Sequence, residues 1–527
     1  MEFLEGRTVG IDLGTTFSTL SYLDENGVPV AVANEDGDEE IPSLIILADT
    51  GHVVVGPNRM RAAMEDPDHV VERIKRHMGE TVEDYKTTFD GREITPEFLS
   101  ALILKKLKQD AEKRLGKISN AVITVPYYFN DLRRKATQDA GRIAGLNVID
   151  IINEPTAATL TYAWNQSELG ASFSSGKKPR QVLVYDLGGG TFDVTVVKYT
   201  PTHFRVLATD GDVMLGGIDW TDRLVDYVAE QFQSQHDIDF RDSRGAVQMV
   251  HYECDQAKVA LTEVEETKIS CRYQGKTISV SVTRSQFEEL TADLAQRTID
   301  TAELVLEQAK VRPEALDVVV MVGGSSLMPL IRSRIKEAIG LEPSGGVSPF
   351  TSVAQGAAIH AAILEAKHQG ADSELAGSLK KMLSAVEQED VNSHGLGIVA
   401  RNPKNNREQN YVMVPRNTKL PVEQRQVFLT NKDDQRRVHV KVLQGEAPDP
   451  LACAQIGDFH VTDLPEGLPK GSPVEVVYTF DQAGRISVRA QDKTGGRFAS
   501  QQIDRAGALD EKKIDALKRL AEYYHVE

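Results

Sequence analysis

One short pattern occurs twice in the chain. The apolar run from Thr8 to Ile11 is followed by Asp12, Leu13, Gly14, Thr15 and Thr16, and then by a second β-rich run from Phe17 to Leu23. The run from Val182 to Tyr185 is followed by Asp186, Leu187, Gly188, Gly189, Gly190 and Thr191, and then by a β-rich run from Phe192 to Tyr199. Each copy reads as a buried strand that delivers an acidic residue, a Gly/Thr turn and a returning strand. Glycine lets a backbone take unusual dihedrals and bring its N–H groups close to a ligand. Successive N–H groups and threonine hydroxyls make a concavity for phosphate oxygens. An aspartate at each strand end can hold Mg²⁺ through water, because Mg²⁺ keeps much of its hydration shell. Two such hairpins face to face would clamp the phosphates of a nucleotide from both sides. A single copy is also compatible with an ordinary glycine turn; the repetition is what points to a ligand.

The length, 527 residues, predicts two or more domains, each with its own core. The formal net charge of −18 argues against nucleic acid and anionic membranes as partners. It also means that a phosphate site must rely on backbone N–H groups, a few local cations and a metal. Cys254, Cys271 and Cys453 form no CxxC pair, so a reducing, cytoplasmic compartment is expected. No signal peptide is visible at the start of the sequence, and no apolar run approaches the length of a membrane span.

From Thr8 to about Lys367, strand and helix patterns alternate, as an α/β fold requires. Asn26 and Gly27 mark a hairpin turn. A helix is predicted over Glu97–Leu115, with Pro96 at its start and Gly116 after its end. A strand over Ala121–Val125 stops at Pro126, and Asn130 or Asp131 caps a helix ending near Gly145. Helices are predicted over Trp220–Gln233, Val247–Leu261, Ser285–Gln308 and Ala354–Lys367. The strand Asp317–Val322 feeds Gly323, Gly324 and Ser325. After a polar stretch, residues Leu396 to about Ala499 show short alternating strands, with Asp481 to Gly484 as a hairpin turn. Leu509–His525 reads as one amphipathic helix. The expected division is residues 1–367, a linker over 368–392, a β domain over 393–508 and a last helix over 509–527.

The two hairpins, the run Asn153 to Ala158, Gly323 to Ser325, and the β domain together resemble the DnaK-type heat shock protein 70 chaperones. The hairpins alone are shared with actin and sugar kinases. The stretches Asn120–Pro126 and Leu215–Asp219 are more specific to the chaperones. The resemblance covers nearly the whole chain. It implies a two-lobed, duplicated actin-like ATPase domain of α/β class, an all-β peptide-binding sandwich and a truncated helical lid.

For the site, the resemblance implies phosphate contacts from Thr15, Thr16, Gly189, Gly190 and Thr191, with Gly14, Phe17, Gly188, Gly216 and Gly217 also binding the nucleotide. Asp12 and Asp186 would organise Mg²⁺, with Asp193 placing water. Lys75 matches the catalytic lysine and Glu154 a water-positioning carboxylate. Physically, a cation beside the γ-phosphate stabilises transferred charge; by spacing alone Lys75 reads as a solvated helix lysine, and the motif match reverses that. Asp255, Lys258, Thr262, Gly323, Gly324, Ser325, Leu327 and Phe350 fall on the adenosine side. There Asp255 stands for the family's glutamate, Thr262 for serine and Val259 for an arginine that stacks on adenine. Pro126 and Arg134 align with residues coupling nucleotide state to domain contacts.

In the β domain, Ile398, Phe428, Val438 and Val440 match peptide-pocket positions, although alternation alone would place them in an ordinary sandwich core. The family's leucine-rich linker is replaced by a longer polar stretch over Ala371–Asp390, in which Leu379, Met382 and Leu383 are the apolar candidates. ATP/ADP, Mg²⁺, unfolded polypeptides, a J-domain co-chaperone and a nucleotide exchange factor are the implied ligands and partners. Two other functions remain open at this point. One is a small-molecule kinase on the same fold, which leaves the β domain unexplained. The other is an ATP-binding scaffold or regulator with weak hydrolysis.

Overall fold

The computed structural model describes residues 2–48, 51–56, 69–81, 83–170, 178–368, 377–402, 404–480, 486–502 and 509–527. The predicted turn at Asp481 to Gly484 and most of the polar stretch before residue 377 lie outside the described residues.

Both hairpins form, and each sits in a sheet of the same design. In the first sheet, Arg7–Leu13 runs parallel to Ile118–Val125 on one side and antiparallel to Phe17–Leu23 on the other. In the second, Arg180–Leu187 runs parallel to Val318–Val322 and antiparallel to Phe192–Thr200. The central strands are apolar on both faces, which is what a sheet covered by helices on both sides requires: Val182, Leu183, Val184 and Tyr185 are all fully buried. The helix Ser352–Lys367 packs against the first sheet and against Glu154–Asn165, and Gly10 lets the sheet approach it closely. A Cβ there would lie 2.1 Å from the backbone nitrogen of Ala358.

The two sheets differ at one edge. The first ends in the short strand Pro29–Ala31. The second continues from His203–Asp212 into Glu387–Glu389, a parallel strand contributed from far down the chain.

The β domain has two four-stranded sheets. One orders Glu408–Val414, Leu396–Arg401, Val438–Gln444 and Ala454–Val461; the other orders Val422–Leu429, Pro473–Phe480, Ile486–Asp492 and Phe498–Gln502. Leu396, Val442, Tyr478 and Val488 share one core between them, and the Tyr478 hydroxyl donates to the carbonyl of Gly397 in the facing sheet (2.5 Å).

Most predicted helices form within a residue or two of their expected ends. The span Ser285–Gln308 forms instead as two helices, Arg284–Leu290 and Ala292–Ala309, broken at Thr291, whose hydroxyl back-bonds to the Phe287 carbonyl (2.8 Å). The last helix, Glu511–Tyr523, does not lie on the sandwich. It packs on Pro96–Leu115 and Asp131–Ile143, and Ile514, Ala521, Tyr524 and Val526 join the core of the first lobe. Among the described residues, no helix is long and apolar enough to cross a membrane.

Candidate functional site

The two turns meet. A Cβ on Gly189 would fall 1.8 Å from the Thr16 hydroxyl, and one on Gly190 would fall 2.3 Å from Thr15 Cγ2. Only glycine lets the second hairpin come this close to the threonines of the first. Gly14 is required for a local reason: its Cβ would meet the Phe17 carbonyl at 1.9 Å. Ser18 caps that turn by accepting from the Gly14 N–H (3.2 Å). The loop bearing Gly216 and Gly217 closes over the second hairpin, with the Gly217 N–H donating to the Gly188 carbonyl (2.9 Å) and the Ile218 N–H to Gly189 (2.8 Å).

Four carboxylates converge on this junction. Asp12 accepts from the Thr124 hydroxyl (2.8 Å), and Asp193 accepts from the Tyr127 N–H (2.8 Å). Asp186 ends its strand, and Glu154 starts the helix that follows Asn153. Burial pushes the pKa of Asp186 well above the carboxylate range, with the charges of Glu154, Asp193 and Asp12 adding to it. Burial also takes Asp193 up to about 7, helped by Glu154 and opposed by the N–H groups of Tyr127 and Tyr128. Glu154 rises to about 7 through burial, with Lys75 opposing and Asp12 adding. Asp12 is raised by burial against the pull of Lys75 and Thr124.

Lys75 is not a solvated lysine. It is 4% exposed, and its Nζ donates to Glu154 Oε1 at 2.6 Å. Burial works against the ammonium, but Glu154, Asp12 and Asp186 together hold its pKa above the usual value. It lies on the single turn Ile74–His77, which Arg73 enters in the left-handed region (φ 61°). The neighbouring Arg76 points across the cleft. Its Nε donates to the Gly190 carbonyl (2.8 Å) and its Nη2 to Asp219 (2.6 Å). Arg73 pairs with His251 of the second lobe (2.6 Å).

The sequence reading gave Arg73, Arg76 and Asp219 no role. The one available signal was the density of charge in Arg73, Ile74, Lys75 and Arg76, which on an exposed helix would be unremarkable. Thr16 Oγ1 and Asp193 Oδ1 are buried without a hydrogen-bond partner. With four carboxylates facing one lysine, these oxygens make a donor set that suits a hard, hydrated divalent cation.

On the opposite side, Lys258 Nζ donates to Asp255 (2.6 Å), to the Thr221 hydroxyl (2.8 Å) and to the Gly217 carbonyl (3.1 Å). A Cβ on Gly217 would meet the Ser325 hydroxyl at 2.2 Å, so Gly217, Lys258, Asp255 and Ser325 form one group. Gly323 takes φ 78° beside the Leu187 carbonyl, and Gly324 lies under the ring of Phe350. Phe350 and Phe17 are exposed, Leu327 is half-buried, and Val259 is 59% exposed. Thr262 sits further off, lining a small cavity with Trp220 and Lys258. A larger cavity of about 600 Å³ opens between the lobes above the site, lined by Arg73, His77, Tyr85, Asp222, Arg244 and His251, and by none of the hairpin glycines.

The route from site to β domain is short. Tyr127, whose N–H binds Asp193, places its hydroxyl against the backbone of Val391, donating to the carbonyl (2.9 Å) and accepting from the N–H (3.1 Å). Pro126, buried, precedes it. Arg134 donates to Asn153 (2.5 Å), which reaches Asp390 (3.4 Å). The sandwich is held by Arg416 to Asp210 (2.9 Å) and by Asn417, which accepts from the Thr209 N–H (3.1 Å) and donates to Gln308 (2.8 Å).

The linker expectation is corrected here. Leu379 and Met382 pack against the core that holds Val182, Val184 and Ile359, where Leu383 is fully buried, so their helix is part of that body. The connecting strand is the polar Glu387–Glu389, which Val386 and Val391 flank with buried side chains. Of the four positions expected to line a peptide pocket, Ile398 and Val440 are buried in the sandwich core, while Phe428 and Val438 are half-buried against it. The neighbouring Val427 and Leu429 are exposed.

These features define a buried lysine and four carboxylates at the junction of two copies of one hairpin, joined to a β domain. The family model described as Hsp70 protein matches residues 8–527. The chaperone protein DnaK of Halobacterium salinarum is 36% identical over 524 residues, 98% of this chain and 78% of that protein. The chaperone protein DnaK of Thermotoga petrophila is 38% identical over 523 residues, 98% of this chain and 82% of that protein. The chain belongs to the Hsp70 family. It is an ATP-dependent molecular chaperone, a nucleotide-binding ATPase that works in protein folding on unfolded polypeptides.

Proposed function

We propose that ATP is bound and hydrolysed where the two hairpins meet, and that the β domain releases or holds an extended apolar peptide according to the nucleotide. The observation that carries this reading is the buried Lys75–Glu154 pair, set beside Asp12 and Asp186 at the junction of both turns. In this reading the N–H groups of Gly14 to Phe17 and of Gly188 to Thr191 cradle the phosphates. Lys75 stabilises charge on the transferred phosphoryl group. Glu154 and Asp193, each with a pKa near 7, orient the attacking water and accept its proton. Asp12 and Asp186 would hold Mg²⁺, and bound Mg²⁺ supplies the positive charge that balances the phosphates. Lys258, Asp255, Ser325 and Gly324 would face the adenosine, with Phe350 offering an apolar surface to the base.

The lobes fit a duplicated actin-like ATPase domain over residues 1–367, followed by the peptide-binding sandwich. A J-domain co-chaperone and a nucleotide exchange factor are the partners this reading implies, and the cytoplasm is the compartment. The scaffold alternative is disfavoured by membership of the Hsp70 family, and the buried lysine among the carboxylates supports hydrolysis. The test is ATP turnover with and without an extended apolar peptide. Stimulation by peptide is the expected result. Binding of ATP with no turnover in either condition would return the scaffold reading.

A further inference from the structure

The last residues of the chain add a strand to the first lobe. His525–Val526 pairs in parallel with His52–Val55, with His525 opposite His52 and Val526 opposite Val53. The pairing is fixed by backbone bonds on both sides: the His525 N–H donates to the Gly51 carbonyl (2.8 Å), the Glu527 N–H to Val53 (3.0 Å), and the Val55 N–H to the Glu527 carbonyl (2.9 Å). Lys105 caps the preceding helix by donating to the carbonyls of Ala521 (2.7 Å) and Tyr524 (2.9 Å). Tyr524, 1% exposed, stacks near Phe89 and Phe98 and donates its hydroxyl to Asp90 (2.9 Å).

This registry brings three metal-ligating side chains together. His52 Nε2 lies 2.9 Å from Glu527 Oε1, and His525 Nε2 lies 3.8 Å from the same oxygen. One ligand atom from each residue falls within 4.8 Å of the others. At a tetrahedral Zn²⁺, with bonds of about 2.0–2.2 Å, neighbouring ligand atoms are about 3.3–3.6 Å apart. The observed separations bracket that spacing, and rotation of the partly exposed side chains suffices to equalise them. Two imidazoles and a carboxylate are the donor set of a zinc site that keeps a fourth position for water. The strongly acidic chain favours a cation there as well.

We propose that His52, His525 and Glu527 form a site for a divalent transition cation, Zn²⁺ by donor type, that latches the last helix and strand onto the first lobe. The cation replaces the His52–Glu527 hydrogen bond and bridges segments from opposite ends of the sequence. Because it binds only when the two strands are paired, it stabilises the docked tail by mass action. A second cluster, His439, Asp458 and His460, lies within one strand pair of the sandwich and bridges nothing new. It is silenced in the test.

The full chain, free of any histidine tag and carrying His439→Ala and His460→Ala, is titrated with ZnCl₂ by calorimetry. One Zn²⁺ per chain is expected. His52→Ala and His525→Ala should each weaken it by about tenfold or more, and Glu527→Gln should weaken it less, as removal of one ligand of three requires. Hydrogen exchange is then followed with and without Zn²⁺. Amides of residues 52–55 and 511–527 should exchange more slowly with Zn²⁺, reversibly with EDTA, and this protection should be lost in His525→Ala. Equal Zn²⁺ affinity in parent and variants, or binding without added protection of these two segments, overturns the proposal. All substituted side chains are partly or fully exposed, and circular dichroism checks that each variant is folded.

Discussion

The two lobes share one strand plan and use its free edge differently. In the first lobe, the sheet stops at Pro29–Ala31, and the lobe sends Lys75 into the cleft and Arg76 onto the opposite hairpin. In the second lobe, the edge beyond His203–Asp212 accepts Glu387–Glu389, and the lobe carries the β domain on Asp210, Thr209 and Gln308. In the proposed reading, the two copies of this strand plan are divided into a catalytic copy and a transmitting copy. Tyr127 connects them: its N–H is on the buried carboxylate of Asp193 and its hydroxyl is on Val391 just past the connecting strand.

The largest expected effect lies on the catalytic side. Lys75→Ala should cut single-turnover hydrolysis by about 10²-fold while ATP still binds, the scale of one lost electrostatic stabiliser. Native-rate hydrolysis would remove Lys75 from the chemistry. Next comes the metal. Asp12→Asn with Asp186→Asn should weaken Mg²⁺-dependent ATP binding by about tenfold or more, and EDTA should abolish turnover in the parent. Metal-independent binding of equal strength would break the reading of the paired aspartates.

On the transmitting side the effects are smaller. Tyr127→Phe removes the hydroxyl from Val391 and leaves the N–H on Asp193. It should lower peptide stimulation of the ATPase several-fold, by about 1 kcal/mol of coupling, with little change in basal turnover. Equal loss of basal and stimulated rates would place Tyr127 in the chemistry instead.

The smallest effect is in protons. Glu154 and Asp193 have pKa values raised to about 7 in the folded chain without ligand. A raised carboxylate pKa means the folded state holds protons that the unfolded state has lost. These groups therefore favour the unfolded state increasingly as pH climbs from about 4 to 7. A bound cation favours the charged forms, so binding of Mg²⁺ alone near pH 7 should release a fraction of a proton. Calorimetry in buffers of different ionisation enthalpy measures it; uptake rather than release would contradict the assigned protonation.

How much of this was legible in the sequence follows the same division. The hairpins could be read because glycine, threonine and aspartate are there for reasons that leave few substitutes: Gly189 and Gly190 admit no Cβ next to Thr15 and Thr16. Lys75 was identifiable only through family resemblance, since nothing in its local sequence separates a buried lysine from a surface one. The connecting strand was misread for a physical reason. A strand added to a sheet edge is held by its backbone, so Glu387, Gln388 and Glu389 can do what an apolar run does, provided the flanking Val386 and Val391 are buried. The placement of the last helix was likewise hidden. Its apolar face calls for a partner, and only the fold shows that the first-lobe core around Pro96–Leu115 and Asp131–Ile143 supplies it.

The central claim is that the second lobe's sheet edge couples nucleotide to peptide. It is tested most directly by fluorescent-peptide affinity with ADP and with ATP, in the parent and in Glu387→Pro. The substitution deletes the N–H that donates to the Thr202 carbonyl (2.8 Å) and opens that edge. ATP should weaken peptide binding to the parent by about fivefold or more, and the ratio should fall toward one in the variant. A ratio unchanged by Glu387→Pro, or peptide affinity in the parent that is blind to ATP, would contradict it.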